Sequence, residues 1–315
     1  MKKVLFALAA VVALAACSKE QTLVTPQPDA IGFGQPFIEN ATRATDPTYG
    51  TTNKLTKFNV YGTVKGTAGT VNIYDGVVVT GTVGTADWTH DAQYNQYWIP
   101  GANYSFAAVV DASAVVQDTY KMPTSLTYNT ADQKDLLYAT ASVTNAAADQ
   151  GRVNFNFEHL LSKAQFTVTS NAMGGYYHSV TNIKISNFET GSYNVATGTW
   201  TGTTSKDISF GDVAEVTSAD ANGKTNATQM LLVPNAAQFN VTFTVELFKN
   251  GTKLGTETKT IPVDTDLVKG NSYNFTIDCS VGNPIKFGVT EDISWDGDHD
   301  EDGDEDTDDD VTIVE

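Results

Sequence analysis

The feature that most restricts the fold of this chain is a two-residue alternation of apolar and polar side chains. It is cut short again and again by Gly, Asn or Asp before it reaches helix length. Such runs occupy 58–64, 71–74, 77–80, 96–99, 104–110, 136–142 and 153–157. They resume at 165–169, 182–188, 228–233, 240–248, 253–261, 273–279 and 285–289. Successive side chains of a strand point to opposite faces, so this period marks half-buried strands. Asp75-Gly76 and Asn250-Gly251 fall between neighbouring runs and read as hairpin turns, whose type I′ geometry needs positive φ. Thr, a β-branched residue suited to strands, supplies 44 of the 315 residues. Only 113–116 and 212–216 could each form a single helical turn. Many short strands without intervening helices predict an all-β protein made of sandwich modules. The pattern restarts near 160–163, which divides the chain into two tandem sandwiches at 44–162 and 163–295.

The N-terminus reads as an address. Lys2 and Lys3 precede an uncharged apolar run over 4–16. At 13 residues it falls short of the roughly 20 needed to span a bilayer, but suits a secretory signal. The run closes in Leu14-Ala15-Ala16-Cys17, which resembles a bacterial lipobox, so residues 1–16 are expected to be a lipoprotein signal peptide. Cys17 would carry the lipid. Cys279 is the other cysteine, so no intrachain disulfide is then expected, and its place in an alternating run predicts core packing. Residues 17–43 form a Pro-rich leader in which Ile31 and Phe33 alternate, enough for one strand paired into a sheet.

The formal charge of −18 and the presence of only two arginines, Arg43 and Arg152, argue against nucleic acid or anionic lipid as a direct partner. No catalytic constellation is present, so no enzyme is expected. The four histidines are dispersed, with His159 read as structural, and Gly223-Lys224-Thr225 lacks the first glycine of a phosphate loop. The exception to this blank is a tail, 296–315, with 11 acidic residues among 296–310 and a short strand-like end at 311–314. Asp298, Asp300 and Asp302 before Gly303, with Asp309 at the twelfth position, match the ligand spacing of a Ca²⁺ loop. Position twelve is normally Glu, Glu305 stands where an apolar residue belongs, and no amphipathic helices flank the loop. A solvated acidic tail with weak divalent affinity is the simpler reading.

Several segments in order resemble the fimbrillin family, pilin lipoproteins of Bacteroidales. They are the lipobox, a leader ending at an arginine, Phe58-x-Val60-Tyr61, Tyr97-Trp98, Tyr104-x-Phe106-x-Ala108 and Asp135-Leu136-Leu137-Tyr138-Ala139. Val153-x-Phe155-x-Phe157-x-His159, Leu231-x-Val233-Pro234, Gly270-Asn271-Ser272-Tyr273 and Ile285-x-Phe287-x-Val289 with Trp295 continue the series. The acidic run from Asp296 departs from the family pattern.

The resemblance implies two transthyretin-like sandwiches and a pilus subunit exported through a Cys17 lipid to the outer membrane. Cleavage by an arginine-specific protease between Arg43 and Ala44 would then release the anchor together with the strand around Ile31 and Phe33. Arg152, directly before a strand, is expected to be protected by the folded sheet. A strand from another subunit would fill the vacated groove, donated by 285–289 or 311–314. The alternative reading is a surface lipoprotein or pilus-tip adhesin that binds glycan, with Ca²⁺ as a possible aid. It rests on Trp88, Tyr94, Tyr97 and Trp98, which are expected more as core than as a sugar platform.

Overall fold

The computed structural model describes residues 29–38, 48–49, 53–82, 84–85, 88–212, 223–226, 228–292 and 295. Among them nearly all regular structure is strand, apart from one 3₁₀ turn at Ala92–Tyr94. The first half contains β1 (Phe37–Ile38), β2 (Thr48–Tyr49), β3 (Asn53–Lys54), β4 (Lys57–Gly66), β5 (Gly69–Thr80) and β6 (Asn103–Val110). It continues through β7 (Ala114–Gln117), β8 (Pro123–Asn129), β9 (Leu137–Val143) and β10 (Asn156–His159). The second half contains β11 (Ser162–Ser170), β12 (Tyr176–Asn194), β13 (Thr199–Gly211), β14 (Gly223–Asn226) and β15 (Met230–Leu232). It ends with β16 (Phe239–Lys249), β17 (Thr252–Val263), β18 (Ser272–Asp278) and β19 (Lys286–Asp292).

The first sheet has the order β1-β10-β9-β6-β4-β5. Alternation along its strands buries both faces. Val60, Phe106 and Ala108 enter one core, while Tyr61, Ala107 and Val109 enter another on the opposite side. The first of these cores is covered mostly by irregular chain rather than by a second sheet. Ile31, Phe33, Trp88, Trp98, Val153 and Phe155 close over it from the leader, 88–102 and 146–155. In the second half two sheets face each other. Phe166, Phe275 and Phe287 from the sheet β14-β11-β18-β19 meet Ile183, Val241 and Phe243 from the sheet containing β16 and β12. This is the face-to-face packing of two sheets that period-two patterning produces.

Two local expectations change. Asp75-Gly76 is not a hairpin turn, because β5 runs unbroken through it. Val60 pairs with Val77 and Gly62 with Tyr74, so Tyr61 alone faces both Asp75 and Gly76. This is a β-bulge, and it uses the same positive φ (67° at Gly76) that a turn would have used. Residues 114–117 are strand β7 rather than a helical turn, paired with β8. Asn250-Gly251 does form the hairpin between β16 and β17, with φ of 46° and 80°.

Hairpin β7–β8 leaves the first half and joins the sheet of the second. Residues 125–129 of β8 pair with 190–194 of β12. β12 is 19 residues long and pairs near its start with β16, near its end with β8 and along its other edge with β13. Buried Asn187 sits mid-strand and exchanges two hydrogen bonds with the Val233 backbone (3.0 and 3.1 Å). The junction beneath is a third core containing Leu126, Tyr128, Leu160, Leu161, Tyr193 and Trp295.

Candidate functional site: a leader strand seated in a groove

Residues 29–38 lie between two segments that do not pair with each other. On one side, Ile31 N–H donates to the Gln96 carbonyl (2.8 Å), and Phe33 bridges antiparallel to Trp88. On the other side the leader runs parallel to 148–157, with Phe33 opposite Val153, Phe37 opposite Asn156 and Ile38 opposite Phe157. Gly34 and Phe37 each donate to that segment across 2.9 Å, at the carbonyls of Val153 and Phe155.

Alternation decides which side chains are held. Ile31 is 2 % exposed and Phe33 is 1 % exposed, and Pro36 and Ile38 are also buried. Phe37 points outward at 48 % exposure. The Phe33 ring meets those of Tyr74 (5.6 Å), His90 (5.7 Å), Phe155 (6.0 Å, stacked) and Phe58 (6.4 Å). Such edge and offset contacts add to the burial of a large ring. Gly34 allows close approach here: a Cβ would come within 2.0 Å of Asn154 Oδ1, so a larger residue would require that exposed side chain to turn away. Burial pushes the Tyr74 hydroxyl well above its ordinary value. At the N-terminal end of the leader a cleft of about 480 Å³ opens between Asp29, His90, Asp149 and Arg152.

Arg152 is placed differently from expectation. It is exposed and outside any ladder strand, and its guanidinium donates to the Phe33 carbonyl (3.4 Å). The backbone on both sides of it bonds to the leader, not to the body of the sheet. Cys17, Arg43, Ala44, Asp298, Asp300, Asp302, Asp309 and 311–314 lie outside the described residues. Among the described residues no group of three or more His, Cys, Asp or Glu side chains is arranged to hold a metal ion.

The aromatics proposed for a sugar platform are split. Trp88 (2 % exposed) stacks on Phe58 at 5.4 Å, and Trp98 (1 %) meets Tyr104 at 4.8 Å, so both are core. Tyr94 and Tyr97 remain on the surface, each 44 % exposed. Cys279 is fully buried, and burial pushes its thiol up to about 11.

Sequence reasoning missed the polar centre of the junction. His159 is buried, and its Nδ1 lies 2.8 Å from Asp135 Oδ2. Its ring stacks on Trp295 at 4.1 Å. Lys163 donates to the Trp295 carbonyl, and its ammonium lies 5.3 Å from the centre of that ring. Trp200 Nε1 donates to the Leu160 carbonyl (2.8 Å), and Lys269 pairs with Glu158. No short sequence pattern joins these positions, since Asp135 and His159 alone are 24 residues apart.

A fimbrillin-like family model matches residues 42–291. In fold, the chain is similar to the crystal structure of a fimbrial protein from Bacteroides vulgatus, with a TM-score of 0.56 and 15 % identity over 84 % of this chain and 98 % of that one. It is also similar to a candidate cell adhesion protein from Bacteroides uniformis, with a TM-score of 0.53 and 17 % identity over 86 % of this chain and 99 % of that one. At these identities the likeness bears on fold alone. No curated protein matches the chain.

Proposed function

The chain belongs to the fimbrillin-like family and is a pilus-related surface subunit, and from that premise we propose that its leader is a removable strand whose departure permits assembly. The observation that carries this reading is the seat of residues 29–38. They fill a slot between 88–98 and 148–157 and enter the core with Ile31, Phe33 and Ile38. Arg43 follows the slot five residues after Ile38. A cut after Arg43 leaves the leader bound by non-covalent contacts alone.

The energies suit an exchangeable strand. Ile31, Phe33 and Ile38 at roughly 1.5–3 kcal/mol each contribute about 5–9 kcal/mol, an upper figure because the unfolded chain already hides some of that surface. An incoming strand that repeats the inward residues and is small opposite Asn154 regains the same burial and the same main-chain bonds. The run Ile285-Lys286-Phe287-Gly288 repeats the spacing of Ile31-Gly32-Phe33-Gly34. It is already committed as β19, paired with β18 along 286–292 and burying Phe287 against Phe275. Donating it means stripping that ladder first, which favours 311–314 as donor. Lipidation at Cys17 delivers the precursor to the outer membrane, and cleavage between Arg43 and Ala44 frees it there.

The test is Arg43→Ala in the producing cell. The variant is expected to stay monomeric and lipid-anchored, whereas normal assembly of this variant would overturn the reading.

A further inference from the structure

The chain offers an arginine-specific protease two sites, Arg43 and Arg152. The second lies in a stretch whose strand partner is the leader. Ala148 accepts from Asp29 N–H (3.2 Å), Val153 donates to the Gly32 carbonyl (2.9 Å), and Val153 and Phe155 accept from Gly34 and Phe37 (2.9 Å each). Pairing of β10 with β9 begins only at Glu158. Among the described residues, therefore, the leader is the sole strand paired with 148–157. The Arg152 side chain is itself turned onto the leader, at the Phe33 carbonyl.

Proteases bind substrates as extended strands, through the same main-chain groups that a neighbouring strand would use. With the leader seated, those groups around Arg152 are taken, and the chain cannot lift away without breaking the bonds on both sides. With the leader gone, they face solvent. We propose that Arg152 is a second cleavage site guarded by the leader strand. The protease that empties the groove then also cuts the subunit whose groove stays empty, while an inserted strand restores the guard. This rests on the reading that the leader departs.

The step is ordinary peptide hydrolysis. Water adds to the Arg152 carbonyl carbon and the bond to the Val153 nitrogen breaks, leaving a carboxylate on Arg152 and an amine on Val153. The cut separates 148–152 from 153–157 and so breaks one wall of the groove. The two fragments stay together through the ladder between β8 and β12 and through the junction core. A nicked subunit keeps its second sandwich but loses a continuous seat for an incoming strand. The sequence of cuts thereby removes unassembled subunits from the pool and spares assembled ones.

The test is a timed digestion of the purified full-length precursor with an arginine-specific endoprotease, read by intact mass. With two arginines, each new terminus in a fragment identifies one site. The wild-type chain is expected to be cut after Arg43 first and after Arg152 second. Arg43→Ala should slow the second cut by roughly tenfold or more, because local opening then limits access. Cutting of that variant after Arg152 at the wild-type rate would overturn the proposal. Adding Phe33→Asp to Arg43→Ala unseats the leader without cleavage and should restore the Arg152 cut; continued resistance would also overturn it. Restoration in the double variant, with no cut after Arg43 in the wild-type chain, would support the guard and defeat the processing reading instead. Finally, a peptide of residues 29–38 added to the processed chain should slow the Arg152 cut, and a scrambled peptide should not. Equal rates with both would mean general unfolding rather than an empty slot, and would overturn the guard.

Discussion

Phe33→Ala should weaken the precursor and leave the processed chain untouched. Phe33 is 1 % exposed and its ring contacts four aromatic rings within 6.4 Å. Truncating a buried Phe costs about 3–5 kcal/mol, through lost transfer energy and the cavity that remains. Taking about 4 kcal/mol and a urea m-value of about 2 kcal/mol/M, the midpoint of the first core should fall by roughly 2 M. Unfolding of the Cys17→Ser precursor, followed by tryptophan fluorescence, measures this, since Trp88 and Trp98 share the core that Phe33 enters. Phe37→Ala is the internal control, because that side chain faces outward and its loss should cost less than about 1 kcal/mol. After digestion stopped before the Arg152 cut, and removal of the leader, the Phe33→Ala and wild-type products are the same molecule, 44–315, so their midpoints should coincide. A midpoint unchanged by Phe33→Ala in the precursor, or a difference that survives processing, would refute the reasoning.

Gly34→Val should weaken seating of the leader by the cost of turning Asn154 away, since its Cβ would otherwise meet Asn154 Oδ1 at 2.0 Å; Asn154→Ala should remove that cost, read as the amount of leader retained after a cut at Arg43. Asp135→Ala leaves the His159 imidazole without its buried hydrogen-bond partner at the junction and should cost about 1–3 kcal/mol, measured by denaturant unfolding. The Cys279 thiol, raised by burial to about 11, should resist disulfide reagents in the native chain at pH 8 and react on unfolding. Its neutral form is favoured by folding, so its contribution to stability is complete below about pH 9 and is lost as pH rises from 9 through about 11, which a stability–pH series would show.

Much of the fold was legible because a period of two identifies a strand without knowledge of its partner. Runs such as 104–110, 240–248 and 273–279 reappear as β6, β16 and β18 with small changes at their ends. β13 escaped because Thr, Ser and Gly fill most of an exposed edge, leaving little apolar alternation to detect. β8 escaped because Leu126 and Tyr128 alone carry its inward face. The bulge at Asp75-Gly76 was read as a turn because both structures require the same backbone at glycine, and only the partner strand distinguishes them. The leader strand was legible from Ile31 and Phe33, but its seat was not. The wall at 148–157 is more than a hundred residues away and is held by bonds whose other halves belong to the leader. Arg152 shows the consequence: sequence placed it before a protecting strand, whereas the protection comes from the segment that the first cut is proposed to free.

The central claim is that the seated leader prevents assembly and that its removal permits it. The most direct measurement is electron microscopy of the purified Cys17→Ser precursor before and after addition of an arginine-specific protease, with the Arg43→Ala form treated alongside. Filaments are expected only from the protease-treated Arg43-containing chain, with residues 1–43 absent from them by mass. Filaments from untreated precursor or from Arg43→Ala, or filaments that retain the leader, would contradict it.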